Sequence, residues 1–167
     1  PEEAFMGTDW KVGETGDTLR AMSAIEDFLV LGIYSGDRMT EYTNFTSLEL
    51  DRPEEWILRL TLRNPAKLNA VDADAHGQLA ELWHAVERDP ETRVVVVRGA
   101  DGAFSSGGDL DLVEEIASDP ATRLRVFHEA RDLVYNVINC SKPIVSAITG
   151  PAVGAGLAVG LLADISI

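Results

Sequence analysis

The sequence predicts an α/β protein with crossover connections between its strands. Three observations carry that class. From Ser47 onward the segments run hairpin, helix, strand, helix, strand, helix, strand. Two stretches, Val94–Val97 and Pro143–Ile148, are apolar and β-branched enough to be buried strands. Two turns of small residues each lead into a helix.

The elements follow in order. Ser47–Leu50 and Trp56–Leu62 alternate and are rich in β-formers, with Pro53 and two glutamates between them, so they read as a hairpin. Asn64–Asn69 is a loop. Asp72 caps a helix running to about Asp89, with Leu79, Leu82, Trp83 and Val86 on its core side. Val94–Val97 shows no alternation and predicts a strand covered on both faces. Ala100–Gly108 is a Gly/Ser loop. Leu110–Ala117 is a short helix, and Pro120–Asn139 a longer one with proline in its first turn. Pro143–Ile148 is the second buried strand. Gly150–Gly156 turns into an apolar helix ending near Leu162, and Ala163–Ile167 begins another strand. A strand at the chain's end leaves an open edge, so the expectation is that the chain is a fragment or that the rest of the domain lies elsewhere.

Residues 1–38 differ in character, with eight acids against three bases. They read as an extension of unknown role or a start-site artefact, and Met39 is a plausible second start. A weak amphipathic stretch spans Thr18–Val30. Residues 39–167 are the domain, and its regular pattern starts at Ser47.

Bulk properties narrow the function. The net charge of −14 argues against nucleic acid or an anionic membrane as partner, although a few local cations can still hold a phosphate. A single cysteine, Cys140, allows no internal disulfide and suits a reducing cytoplasm. There is no run of about 18 apolar residues to cross a membrane, and the N-terminus lacks the pattern of a signal peptide. His76, His84 and His128 have no ligand-spaced partners, so no metal site is expected. Trp83 reads as core and Cys140 as a buried small residue.

The chemistry centres on the two small-residue turns, Phe104–Leu110 (FSSGGDL) and Gly150–Gly156 (GPAVGAG). Glycine and alanine let a ligand approach the backbone. The first turn of a helix presents unpaired N–H groups with a partial positive charge. Two such turns facing each other would offer two N–H donors to one oxygen, which suits a thioester carbonyl becoming an enolate. Either turn alone fits tight packing equally well.

Together with Arg63–Ala70 (RNPAKLNA) and Lys142–Gly150 (KPIVSAITG) running into Ala163-Asp164-Ile165, the turns resemble the first half of the crotonase (enoyl-CoA hydratase/isomerase) superfamily, from about Ser47 to Ile167. The resemblance implies a spiral of ββα units, an acyl-CoA thioester substrate, and homotrimers or hexamers. No separate cofactor is implied, because coenzyme A is part of the substrate. It also implies an oxyanion hole made by the backbone N–H groups of Gly108 and Ala155. Ala66, Lys67, Leu68 and Ala70 would hold the CoA nucleotide, with Ser106, Gly108, Asp109, Leu110 and Asp111 alongside. Lys67 is then either a phosphate ligand or a solvated loop lysine.

The sequence departs from the two-glutamate hydratases at one position. Their first catalytic glutamate falls on Ala158, which cannot transfer a proton. The second acid would lie beyond Ile167. An isomerase or atypical hydratase fits this better than a paired-carboxylate hydratase. A CoA-thioester hydrolase or decarboxylase, and a catalytically silent acyl-CoA binder, are the alternatives. Asp111 or Glu115 could substitute as an acid, and Asp164 reads as structural. A dinucleotide-binding domain is a third class, but Gly154-Ala155-Gly156 followed by Gly160 lacks the G-x-G-x-x-G spacing.

Overall fold

A computed structural model describes residues 42–167 of the 167-residue chain. The Thr18–Val30 stretch, the boundary at residue 38 and the Met39 start lie outside the described residues.

The hairpin forms from β1 (Glu49–Glu54) and β2 (Ile57–Leu62), paired antiparallel. Pro53 does not end its strand as expected. β1 runs through it because β1 is an edge strand with a register shift between Asp51 and Glu54, where a missing ladder donor is tolerated. Trp56 makes the reversal with φ 67°.

A one-turn 3₁₀ helix, Pro65–Lys67, occupies the predicted loop. Helix α1 (Ala73–Arg88) starts where Asp72 accepts a hydrogen bond from the Ala75 N–H. β3 (Val94–Gly99) pairs parallel with β2. Two helices then follow, α2 (Leu110–Ser118) and α3 (Pro120–Ile138), capped by the side chains of Asp109 and Asp119. β4 (Ile144–Ala147), α4 (Gly154–Leu162) and β5 (Ile165–Ser166) complete the described residues.

The sheet order is β1-β2-β3-β4-β5, with every pairing after the first parallel. Each new strand is added at the same edge. Crossovers of constant hand then put every helix on one face. That face carries the core: Leu58, Leu60, Val95, Val97 and Ile144 meet Leu79, Leu82, Trp83 and Val86 of α1 and Leu133 and Val137 of α3. Burial along β3 therefore alternates, with Val95 and Val97 buried and Val94 and Val96 half-buried. Among the described residues, cover on both faces is not met: the second face of β3 is only half-buried. A valine run satisfies either geometry, and the strand order decides between them. The predicted α1 core residues are all buried, whereas Cys140 is only half-buried.

A buried polar centre ties the ends of these elements together. The buried Asp89 carboxylate accepts hydrogen bonds from Tyr42 Oη (2.8 Å), Thr92 Oγ1 (2.6 Å), the Glu91 N–H (2.8 Å) and the Arg52 guanidinium. Burial pushes this carboxyl up, but the hydrogen bonds from Thr92, Tyr42 and Arg52 outweigh it and hold the group below the ordinary aspartate range. The Lys142 ammonium donates to the carbonyls of Val86 and Asp89, so the end of α1 is tied to the entry of β4.

Candidate active site

The site is assembled from three backbone segments that the parallel sheet brings to one end: residues 67–71, 104–109 and 151–156. Hydrogen bonds link the first two. The Ser106 N–H donates to Leu68 O (2.9 Å), the Val71 N–H to Gly107 O (2.8 Å) and the Asp109 N–H to Val71 O (2.9 Å). The second and third are joined as well. The N–H groups of Phe104 and Ser105 donate to Pro151 O (2.9 and 3.1 Å), and the Val153 N–H donates to Ser105 O (2.9 Å).

Glycine is required where the turns touch. Gly107 has φ 92°, and a Cβ there would stand 3.0 Å from Val153 O and 3.6 Å from Ala155 N. A Cβ on Gly156 would stand 2.5 Å from Ser105 Cβ. At Gly108 the space is open, since a Cβ there meets nothing within 4 Å. Gly107 and Gly156 thus let the turns close on each other, and Gly108 leaves room for something else.

Of the N–H groups in these segments that lack an acceptor, two stand on the facing turns. Among the described residues, neither the Gly108 N–H nor the Ala155 N–H has an acceptor. Their directions follow from peptide planarity, because in a trans peptide the N–H points opposite to the C=O. The Gly107 carbonyl is taken by Val71, so the Gly108 N–H points away from Val71. The Gly154 carbonyl belongs to the first turn of α4, so the Ala155 N–H points out of that helix's N-terminus. Both residues are solvent-exposed.

The mouth beside Gly108 is charged. Lys67 Nζ lies 2.8 and 2.7 Å from the two Asp109 carboxylate oxygens and 2.8 Å from Asp111 Oδ2. The ammonium beside it, with a second hydrogen bond from the Asp111 N–H, holds the Asp109 carboxyl below the usual range. The same contacts, Asp109 first, push the Lys67 ammonium up. Lys67 is exposed, and its ammonium is paired with two carboxylates in this structure. It clasps the 3₁₀ turn to the start of α2, and the trio carries net negative charge.

The other predicted residues distribute as follows. Ala66 and Leu68 are exposed on the same loop, while Ala70 is buried, its carbonyl accepting from Asn64 Nδ2 (3.2 Å). Ser106 donates through Oγ to Lys67 O (2.8 Å). Leu110 is 75% exposed at the head of α2. A cleft of about 290 Å³ is lined by residues of β2 and of the loop that follows it. It includes Ala70, Asn64 and Asp72 but neither Gly108 nor Ala155. Asp164 accepts from the Ile144 N–H (2.8 Å), a bond within the fold. His84 and His128 are exposed, and His76 Nδ1 meets Glu129 Oε2 at 2.8 Å, far from the turns in sequence.

Two residues escaped the sequence reading. The buried Asn69, with φ 58°, donates through Nδ2 to Ala100 O and Ala103 O (2.8 and 2.9 Å) and so holds the loop that leads into the first turn. Ser105 is fully buried between the turns. A serine and an asparagine inside polar loops carry no periodic signal that would have marked them.

Residues 52–167 match the enoyl-CoA hydratase/isomerase family model. The chain is 35% identical over 120 residues to 1,2-epoxyphenylacetyl-CoA isomerase of Escherichia coli K12, covering 71% of this chain and 46% of that protein. It is 32% identical over 123 residues to the mitochondrial Δ(3,5)-Δ(2,4)-dienoyl-CoA isomerase of Rattus norvegicus, covering 68% and 38%. A solved enoyl-CoA hydratase/isomerase from Mycobacterium paratuberculosis superposes with a TM-score of 0.69 at 36% identity, over 72% of this chain and 48% of that one. The chain thus spans about half the length of the relatives it matches.

Proposed function

We propose, from the premise that this chain belongs to the enoyl-CoA hydratase/isomerase family, that its two turns activate an acyl-CoA thioester. The carbonyl oxygen of the substrate sits between the N–H groups of Gly108 and Ala155, and both donors stabilise the negative charge that develops on it as the enolate forms. The observation that carries this reading is the pair of unaccepted backbone donors on two turns in mutual contact. The CoA portion runs past Ala66, Lys67, Leu68 and Ala70 and the backbone of Ser106, beside Asp109, Leu110 and Asp111. Exposed apolar side chains on and beside the turns, among them Leu110, Val153 and Leu157, suit an acyl chain.

Within the family we favour isomerisation, or an atypical hydration, over paired-carboxylate hydration. Ala158 stands on the exposed side of α4 where the two-glutamate pattern places its first acid. An isomerase needs one base to move a proton within the substrate. A silent acyl-CoA binder is the second reading, favoured by the same alanine. We propose a homotrimeric or hexameric assembly. Among the described residues no helix is long and apolar enough to cross a membrane.

The full-length protein should be assayed with crotonyl-CoA and a 3-enoyl-CoA as separate substrates. Turnover of the 3-enoyl ester with little hydration of crotonyl-CoA is the expected result. Hydration at an ordinary enzymatic rate would overturn the argument from Ala158. Binding without turnover of either would select the silent binder.

A further inference from the structure

The Ser105 side chain touches all three segments of the site. Its hydroxyl donates to Asn69 O (2.8 Å) and accepts from the Gly107 N–H (3.1 Å). Its carbonyl accepts from the Val153 N–H, and its own N–H donates to Pro151 O. Its Cβ and Oγ lie so close to Gly156 that a Cβ there would stand 2.5 and 2.6 Å from them. The side chain has no exposed surface, and its donor and its acceptor are both used.

We propose that Ser105 is a positioning residue that sets the aim and spacing of the two oxyanion donors. The mechanism is mechanical. Gly107 is held on its N–H side by Ser105 Oγ and on its C=O side by the Val71 N–H. With both groups fixed, the peptide plane that ends in the Gly108 N–H cannot rotate. The same serine bears on the first turn of α4 through Gly156 and Val153, and so sets where the Ala155 N–H stands relative to Gly108. A glycine at 107, free to adopt many conformations, would otherwise leave the Gly108 donor loosely aimed. Preorganised donors act on the transition state more than on the bound ground state, so losing aim lowers kcat and leaves KM largely unchanged.

This inference rests on the proposed oxyanion role of Gly108 and Ala155, and the test separates the two. The full-length protein and its Ser105→Ala variant are mixed with a 2,4-dienoyl-CoA ester, whose absorption moves to longer wavelength as its carbonyl is polarised. Binding affinity, thermal unfolding and, where the ester or a 3-enoyl-CoA turns over, kcat and KM are measured alongside. The expected result is binding within about threefold of the parent, loss of at least half the spectral shift, and a kcat about tenfold lower at similar KM. If the parent protein shows no binding or no spectral shift, the oxyanion reading itself fails. If the parent shifts and a folded Ser105→Ala shifts equally, the positioning role is overturned while that reading stands. Loss of binding in a folded variant would also overturn it, because Ser105 would then hold substrate. Should Ser105→Ala fail to fold, Ser105→Cys carries the test, since the thiol keeps the shape but is a poor acceptor for the Gly107 N–H. An intermediate shift supports the role, and a parental one contradicts it.

Discussion

Gly107 is constrained twice over, by its backbone conformation and by the facing turn. Its φ of 92° is unfavourable for any side chain, and a Cβ would press on Val153 O. Gly107→Ala should cost about 1–3 kcal/mol from backbone strain alone, read as a lower denaturation midpoint, and should reduce turnover further by parting the turns. Parental stability and activity would remove the argument for close approach. Lys67 gives a second test. Asp109, depressed by Lys67, contributes stability that is present above its unfolded value and lost as pH falls through the folded one. Lys67, raised by Asp109, contributes stability that is present below its own unfolded value and lost as pH rises through the folded one. The clasp is therefore intact across neutral pH. Lys67→Met should lower stability at pH 7, and the difference from the parent should shrink as pH drops below about 4. A difference independent of pH would mean that Lys67 acts through packing alone.

At the scale of elements, the described strands and helices follow the pattern in the sequence closely, and the reasons are local. Helix α1 announces itself through Asp72 and the spacing of Leu79, Leu82, Trp83 and Val86, which all become core. Trp83→Ala should destabilise by about 3–5 kcal/mol because this ring is 2% exposed at the centre of the helix–sheet contact; urea denaturation would check it. The Asp89 centre was not legible. Its partners Tyr42, Arg52 and Lys142 are spread along the chain, and no local pattern links them. Asp89→Asn leaves Arg52 without its charge partner and should cost about 3 kcal/mol. A loss below about 1 kcal/mol, the level of an exposed pair, would show that the centre is solvated. The two small-residue turns stood out by composition, yet their contact, the direction of their N–H groups and the wedge of Ser105 between them depend on strands adding at one edge. That is a tertiary fact, and so is the alternating burial of the valine strand.

At the scale of the whole molecule, the chain holds both turns and both proposed donors, while it spans about half the length of its relatives. Activation of the thioester and the choice of reaction are thus separable questions. The first rests on the proposed donors Gly108 and Ala155, and the second on a proton-transfer group that Ala158 does not supply. The most direct test of activation needs no turnover. An acyl-CoA labelled with ¹³C at its thioester carbonyl is bound to the full-length protein, and the carbonyl stretch is followed by difference infrared spectroscopy. Two aimed N–H donors should move the band to lower frequency than in water, and Gly107→Ala should return part of that shift. A bound ester whose carbonyl vibrates as it does in water would contradict the account.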